Sequence, residues 1–140
     1  MQCKKVSSGF VLRFLQGENV SEKLSEFCER EKVFSASLYG IGALEKAELG
    51  FFSQEKKDYE TKVFEEDLEV LSFSGNISLK EEKPFVHAHV VLGRKDFSLI
   101  GGHFVSGTVG ATLELFVEPL KEKIERKKQD SGLFLLDLEK

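Results

Sequence analysis

Apolar positions along the chain follow two different periods. From Val20 to Lys32 they recur at Val20, Leu24, Phe27 and Cys28, the i, i+4, i+7, i+8 spacing of one helical stripe. Asn19 or Ser21 can cap the first turn, and Glu22 sets an early acid against the helix dipole. Elsewhere the pattern is that of strands. Residues 9–16 are aromatic and β-branched and stop at Gly17-Glu-Asn. Further strands are predicted at 34–39, 43–52, 59–65, 68–79, 84–92, 97–105 and 111–120. Gly40-Ile-Gly42 and Gly107-Thr-Val-Gly110 read as tight breaks between strands, while 54–58 and 80–83 are charged loops of hairpin length. One helix among many strands predicts an α+β fold, an antiparallel or mixed sheet backed by that helix. Residues 121–129 read as a short charged helix. The apolar stretch at 132–138 either returns to the core as an edge strand or packs on another subunit.

Length and composition fit a single domain over residues 1–140: 15.8 kDa, 41% hydrophobic, two prolines, thirteen phenylalanines and no tryptophan. The net charge of −4, from 24 acidic and 20 basic residues, argues against a strong intrinsic grip on nucleic acid, which draws its affinity from Lys and Arg on phosphates. The densest basic cluster, Lys121, Lys123, Arg126, Lys127 and Lys128, is interleaved with Glu122 and Glu125 and reads as a solvated helical face. Cys3 and Cys28 fit no disulfide or metal pattern. The first residues lack the apolar centre of a signal peptide, and no apolar run approaches the roughly 18–20 residues of a membrane span. A soluble, cytoplasmic protein without a membrane partner is the expectation.

The candidate chemistry lies in the three histidines. His87 and His89 stand two apart in Pro84-Phe-Val-His-Ala-His-Val-Val-Leu-Gly93, so on a strand they project from one side while Ala88 points away. Gly93-Arg-Lys-Asp96 reads as a turn, and an antiparallel return would carry His103 of Gly101-Gly-His back to the pair. Three neutral imidazoles are a well-attested zinc shell with one coordination position left open. The alternative is that the histidines are merely polar residues on a solvated strand face. Glu114 shares a strand face with Thr112 and is the candidate general base towards a metal-bound water, or a carboxylate orienting a ligating imidazole, or an outward-facing glutamate. Arg94 and Asp96 could reach a ligand at the rim, although turn chemistry alone explains the aspartate. No third glycine follows Gly40-x-Gly42 into a helix, so a dinucleotide turn is not indicated. No serine sits in a nucleophile elbow.

Gly40-Ile-Gly-Ala-Leu, Leu71-Ser-Phe-Ser-Gly-Asn-Ile-Ser-Leu, the H-x-H strand, Gly101-Gly-His and Gly107-Thr-Val-Gly-Ala-Thr-Leu-Glu, in this order, resemble the plant-and-prokaryote-conserved (PPC) domain over residues 8–119. That leaves 120–140 as a C-terminal extension. The resemblance implies a strongly curved mixed sheet with one principal helix, assembled as a homotrimer. In plants the domain follows AT-hook motifs in nuclear proteins, whereas prokaryotic members are free-standing and often labelled DNA-binding by analogy. This chain has no Arg-Gly-Arg-Pro hook. Prokaryotic members with these H-x-H and G-G-H elements resemble metal-containing proteins, which carries over His87, His89 and His103 as ligands. The fold is also remotely similar to acetolactate decarboxylase, a zinc enzyme with three histidines and a nearby carboxylate and arginine. Three roles follow as expectations: a metal-binding module; a zinc enzyme acting on a small carbonyl or hydroxy-acid metabolite, with Glu114 as base; and DNA association through a surface that trimerisation creates. Imidazole ligands suit zinc, copper, iron and nickel alike.

Overall fold

The computed structural model describes residues 1–139. In chain order its elements are β1 (Gln2–Val6), β2 (Gly9–Leu15), α1 (Val20–Glu31), β3 (Ala36–Ser53), β4 (Asp58–Phe64), β5 (Leu68–Lys80), β6 (Lys83–Gly93), β7 (Leu99–Pro119), β8 (Glu125–Lys128) and β9 (Phe134–Asp137). The helix forms where the apolar stripe predicts it, with Val20, Leu24, Phe27 and Cys28 buried. Asn19 caps it by accepting from the Glu22 amide at 3.1 Å, while Ser21 instead donates to the Val105 carbonyl at 2.9 Å. Lys32 closes the helix in the left-handed region at φ 57°. Among the described residues no helix is long and apolar enough to cross a membrane.

All nine strands belong to one sheet. β3 pairs with β5, β5 with β6, β6 with β7, and β7 again with β3, each antiparallel, so these four strands close a ring. β1 and β2 extend it beyond the C-terminal half of β7, β4 lines the last third of β3, and β8 adds to β5 in parallel, which makes the sheet mixed. The ring's interior and α1 share one core. Phe10 meets Phe27 edge to face at 5.2 Å, and Phe73 meets Phe104 at 4.9 Å. These phenylalanine contacts serve where no tryptophan is present.

Two expectations are overturned. The glycine pairs are not breaks: β3 runs unbroken through Gly40 and Gly42, and β7 through Gly107 and Gly110. The glycines are there for contact rather than for turning. A Cβ on Gly40 would lie 2.0 Å from the Glu114 carbonyl oxygen, and one on Gly42 would lie 2.2 Å from that of Thr112. Without side chains β3 bulges and presses against β7, which bends the sheet. The charged helix at 121–129 is also absent. Residues 125–128 form β8, because Arg126 turns inward onto β5 while its charged neighbours face outward, and β9 returns antiparallel on it as an edge strand, one of the two arrangements expected of the apolar tail.

Candidate metal site

β6 and β7 form the hairpin that the turn at Gly93 to Asp96 implies, and its register sets His89 directly opposite His103. On β6 the even-numbered Ala88 and Val90 face the core at 2% and 3% exposure, so His87 and His89 share the outer face. The polar stripe of the neighbouring strand runs beside them, with Asn76 opposite His87 and Ser74 opposite His89. On its other side His103 pairs with Gly50, and the missing side chain there admits Tyr59, whose ring lies 4.7 Å from that of His103.

The three imidazoles converge. Ring centroids are 5.2 Å apart for His87 with His89 and with His103, and 5.6 Å for His89 with His103. One nitrogen of each lies within 4.8 Å of the other two. Metal to nitrogen bonds of about 2.0–2.1 Å in a tetrahedral shell set nitrogens about 3.4 Å apart, so small ring movements close the set on an ion. His103 Nδ1 is buried without a hydrogen-bond partner among the described residues, which leaves a lone pair or N–H there unsatisfied. Burial, then the Arg126 guanidinium, then the other two imidazoles push His87 down to about 4. Burial and His89 lower His103 in the same direction. Both rings are therefore neutral at pH 7, the state a metal requires. An all-nitrogen donor set fits zinc and its transition-metal neighbours and does not suit calcium or magnesium, which take oxygen ligands.

Above the cluster lies a cavity of about 350 Å³, walled in part by Phe85, Phe134 and Arg126. Arg126 is only 7% exposed. Its Nε donates to Ser78 Oγ at 2.6 Å, Nη1 to the Phe134 carbonyl at 2.8 Å and Nη2 to Asn76 Oδ1 at 2.7 Å, and Nη2 also approaches His87 Nδ1 at 3.4 Å. Because a guanidinium only donates, that last contact makes His87 Nδ1 an acceptor. Arg126 thus fastens β8 and β9 over the histidines, in addition to the backbone pairing of β8 with β5.

The other residues singled out from the sequence lie elsewhere. Glu114 is exposed on the far half of β7, opposite Arg13 and Ile41 and eleven residues from His103, roughly 35 Å of strand at 3.3 Å per residue. Within the chain it cannot serve a metal held by the histidines. Arg94 pairs with Glu66 at 2.8 Å and Asp96 accepts from the Ser98 amide at 3.0 Å, both at the remote end of the hairpin. Burial pushes the Cys28 thiol up to about 12, and neither cysteine joins the cluster. Conversely, Arg126 and Tyr59 belong to no recognisable motif, and Asn76 and Ser78 lie in the Leu71–Leu79 segment that carries the family resemblance without being marked there as site residues. The alternation Ser74, Asn76, Ser78 beside H-x-H is the signal that could have found two of them.

A family model, the Plants and Prokaryotes Conserved (PCC) domain, matches residues 1–121. The chain belongs to this family. Among solved structures, a plant- and prokaryote-conserved (PPC) protein from Pyrococcus horikoshii is 38% identical, with TM-score 0.86 and 93% of this chain and 91% of that one covered. A metal-containing protein from Archaeoglobus fulgidus is 42% identical, with TM-score 0.87 and 94% of each chain covered. A Bacteroides thetaiotaomicron protein, provisionally named DNA-binding, is 31% identical, with TM-score 0.95 over 99% of this chain and 98% of that one. The expected likeness to acetolactate decarboxylase is one of fold alone, to a Staphylococcus aureus protein of unknown function similar to that enzyme, at 9% identity and TM-score 0.57. No curated protein matches the chain.

Proposed function

We propose that this PPC-domain protein is a metal-binding protein in which His87, His89 and His103 hold one transition-metal ion, zinc in the first instance. The carrying observation is the convergence of three imidazoles, with burial holding His87 and His103 neutral, around a buried His103 Nδ1 that has no partner among the described residues. The metal-containing neighbour from Archaeoglobus fulgidus supports the reading. Three protein ligands leave a coordination position open, and a metal there supplies Lewis acidity towards an oxygen ligand from the cavity. The histidines orient that ion, and Arg126 and the aromatic walls restrict what reaches it. Elemental analysis of tag-free protein tests the proposal: about one metal per subunit, lost in His87→Ala/His89→Ala, is the expected result, and no metal after zinc is supplied would overturn it.

The working unit we propose is a homotrimer in the cytoplasm. Its support is the apolar surface one chain leaves open, including the Tyr39–Phe116 stack at 5.5 Å beside Ile41, 61% exposed, and Phe97, 91% exposed at the hairpin tip. The mass in solution tests it. The DNA-binding names of structural neighbours offer a partner that this chain's charge of −4 and the burial of Arg126 disfavour. Weak, salt-insensitive retention on DNA is therefore expected.

A further inference from the structure

Beside the imidazoles, the cavity's lining carries three cations, the exposed Lys57 at its rim and the less exposed Lys80 and Arg126. Arg126 and Lys80 both line it, and neither forms an ion pair among the described residues. A guanidinium stays charged at any working pH, and burying one without an opposite charge is unfavourable even when neutral groups accept its hydrogen bonds. The partners of Arg126 are all neutral: a serine hydroxyl, an amide oxygen, a backbone carbonyl and an imidazole. Those contacts engage four of its five N–H groups and leave one on Nη1. Lys80 Nζ lies 4.1 Å from the centroid of the Phe134 ring and 5.1 Å from that of Phe85, held by ring faces and by no carboxylate. The acid on the cavity's lining is Asp58, exposed, with one oxygen accepting the Tyr59 amide at 2.8 Å.

Positive charge on one wall, phenylalanine faces on others and three metal-ligating nitrogens on the floor describe a ligand with an anionic head, a short carbon body and a further oxygen. We propose that the cavity binds a small 2-oxo or 2-hydroxy carboxylate, its carboxylate held by Arg126 and Lys80, its body against Phe85 and Phe134, and its 2-oxygen turned to the metal. The 3.4 Å between Arg126 Nη2 and His87 Nδ1 makes the two anchors adjacent, as the carboxylate and 2-oxygen of such a molecule are. At about 350 Å³ the space matches the lower end of small-molecule sites. The metal anchor rests on the metal reading above; the anion anchor does not.

The test is titration of the full chain, metal-free and zinc-loaded, with carbon-13-labelled pyruvate followed by NMR line broadening, beside acetone and inorganic phosphate. Pyruvate is expected to bind the metal-free protein, and zinc to tighten it in wild type and not in His87→Ala/His89→Ala. Arg126→Met and Lys80→Met should each weaken it about tenfold or more, about 1.4 kcal/mol. The Lys80 side chain is partly exposed and makes no hydrogen bond to the tail, and its variant leaves the backbone pairing with β8 in place, so it keeps the test valid if Arg126→Met disturbs β8. No pyruvate binding, equal binding of acetone or phosphate, or unchanged affinity in both variants would overturn the proposal. Failure of zinc to bind would overturn only the metal reading, with the metal-free titrations still deciding the anion site.

Discussion

Ser78→Ala probes how the tail is fastened over the site. The hydroxyl is fully buried and accepts the 2.6 Å bond from Arg126 Nε. Removing it leaves a charged N–H buried with no acceptor, which costs about 2–3 kcal/mol, the upper part of the range for an orphaned buried donor. For this chain of 140 residues, at about 2–4 °C per kcal/mol, the melting temperature should fall by about 5–10 °C. The same substitution made on Arg126→Met has no charged donor to orphan. Methionine can still lie along Phe85, as the guanidinium now does with its carbon 5.3 Å from the ring centroid. In that background Ser78→Ala should cost under about 0.5 kcal/mol, giving a coupling of about 2 kcal/mol across the double-mutant cycle. Urea unfolding of all four proteins measures it, at one fixed protein concentration and with chelator present, because both assembly and metal shift apparent stability. Equal costs of Ser78→Ala in the two backgrounds would refute the argument that unsatisfied charge, rather than lost packing, sets the energy.

Other consequences are equally accessible. In metal-free protein His87 gains its proton near 4 when folded and near its ordinary 6.5 when unfolded, so stability is complete above pH 6.5 and declines as pH falls towards 4. His87→Ala should flatten that part of the urea-midpoint profile, and an unchanged profile would contradict the burial argument. Zinc at about a hundredfold excess over its dissociation constant adds about 2.7 kcal/mol of stability. It should raise the wild-type melting temperature and leave His87→Ala/His89→Ala unmoved; an equal rise in both would place the metal elsewhere. Phe97→Ser, at a side chain 91% exposed, should leave the chain's intrinsic stability within about 0.5 kcal/mol while lowering the mass seen by light scattering, and an unaltered mass would remove Phe97 from the assembly surface. Gly40→Ala sets a methyl 2.0 Å from a backbone oxygen, so a loss of about 3 kcal/mol or more is expected in the urea midpoint. A wild-type midpoint would show that the β3 bulge yields easily.

The parts of the molecule that sequence patterns reveal are those decided by near neighbours. The helix needs only its own stripe and cap, and the H-x-H pair with His103 needs only alternation and a turn of a few residues. Gly40 and Gly42 mislead because locally a glycine pair resembles a turn. What decides their conformation is the Glu114 and Thr112 carbonyls, distant in sequence and touching them only once the ring has closed. Glu114 misleads for the related reason that β7 is a single long strand. Read as two, it lets the glutamate fold back towards the histidines; read as one, it carries the glutamate to the far end of the sheet.

The tail shows the limit most sharply. Periodicity registers burial through apolar residues, yet the buried position of β8 is Arg126, flanked by exposed Glu125, Lys127 and Lys128. In composition that segment is a solvated charged stretch, and only its pairing with β9 and with β5, where Leu79 and Lys80 meet Glu125 and Arg126, makes it a strand. One detail of the amino-acid sequence does separate Arg126 from its basic neighbours: it is the single arginine among the lysines of that cluster. Arginine tolerates burial where lysine does not, because a planar fork of five donors can be met on several sides at once, as Ser78, Asn76, His87 and the Phe134 carbonyl meet it here. Arg126→Lys retains the charge but cannot reproduce that fork. It should therefore loosen the tail nearly as much as Arg126→Met, seen as faster amide exchange across 125–137. Protection equal to wild type in the lysine variant would show that charge alone holds the tail in place.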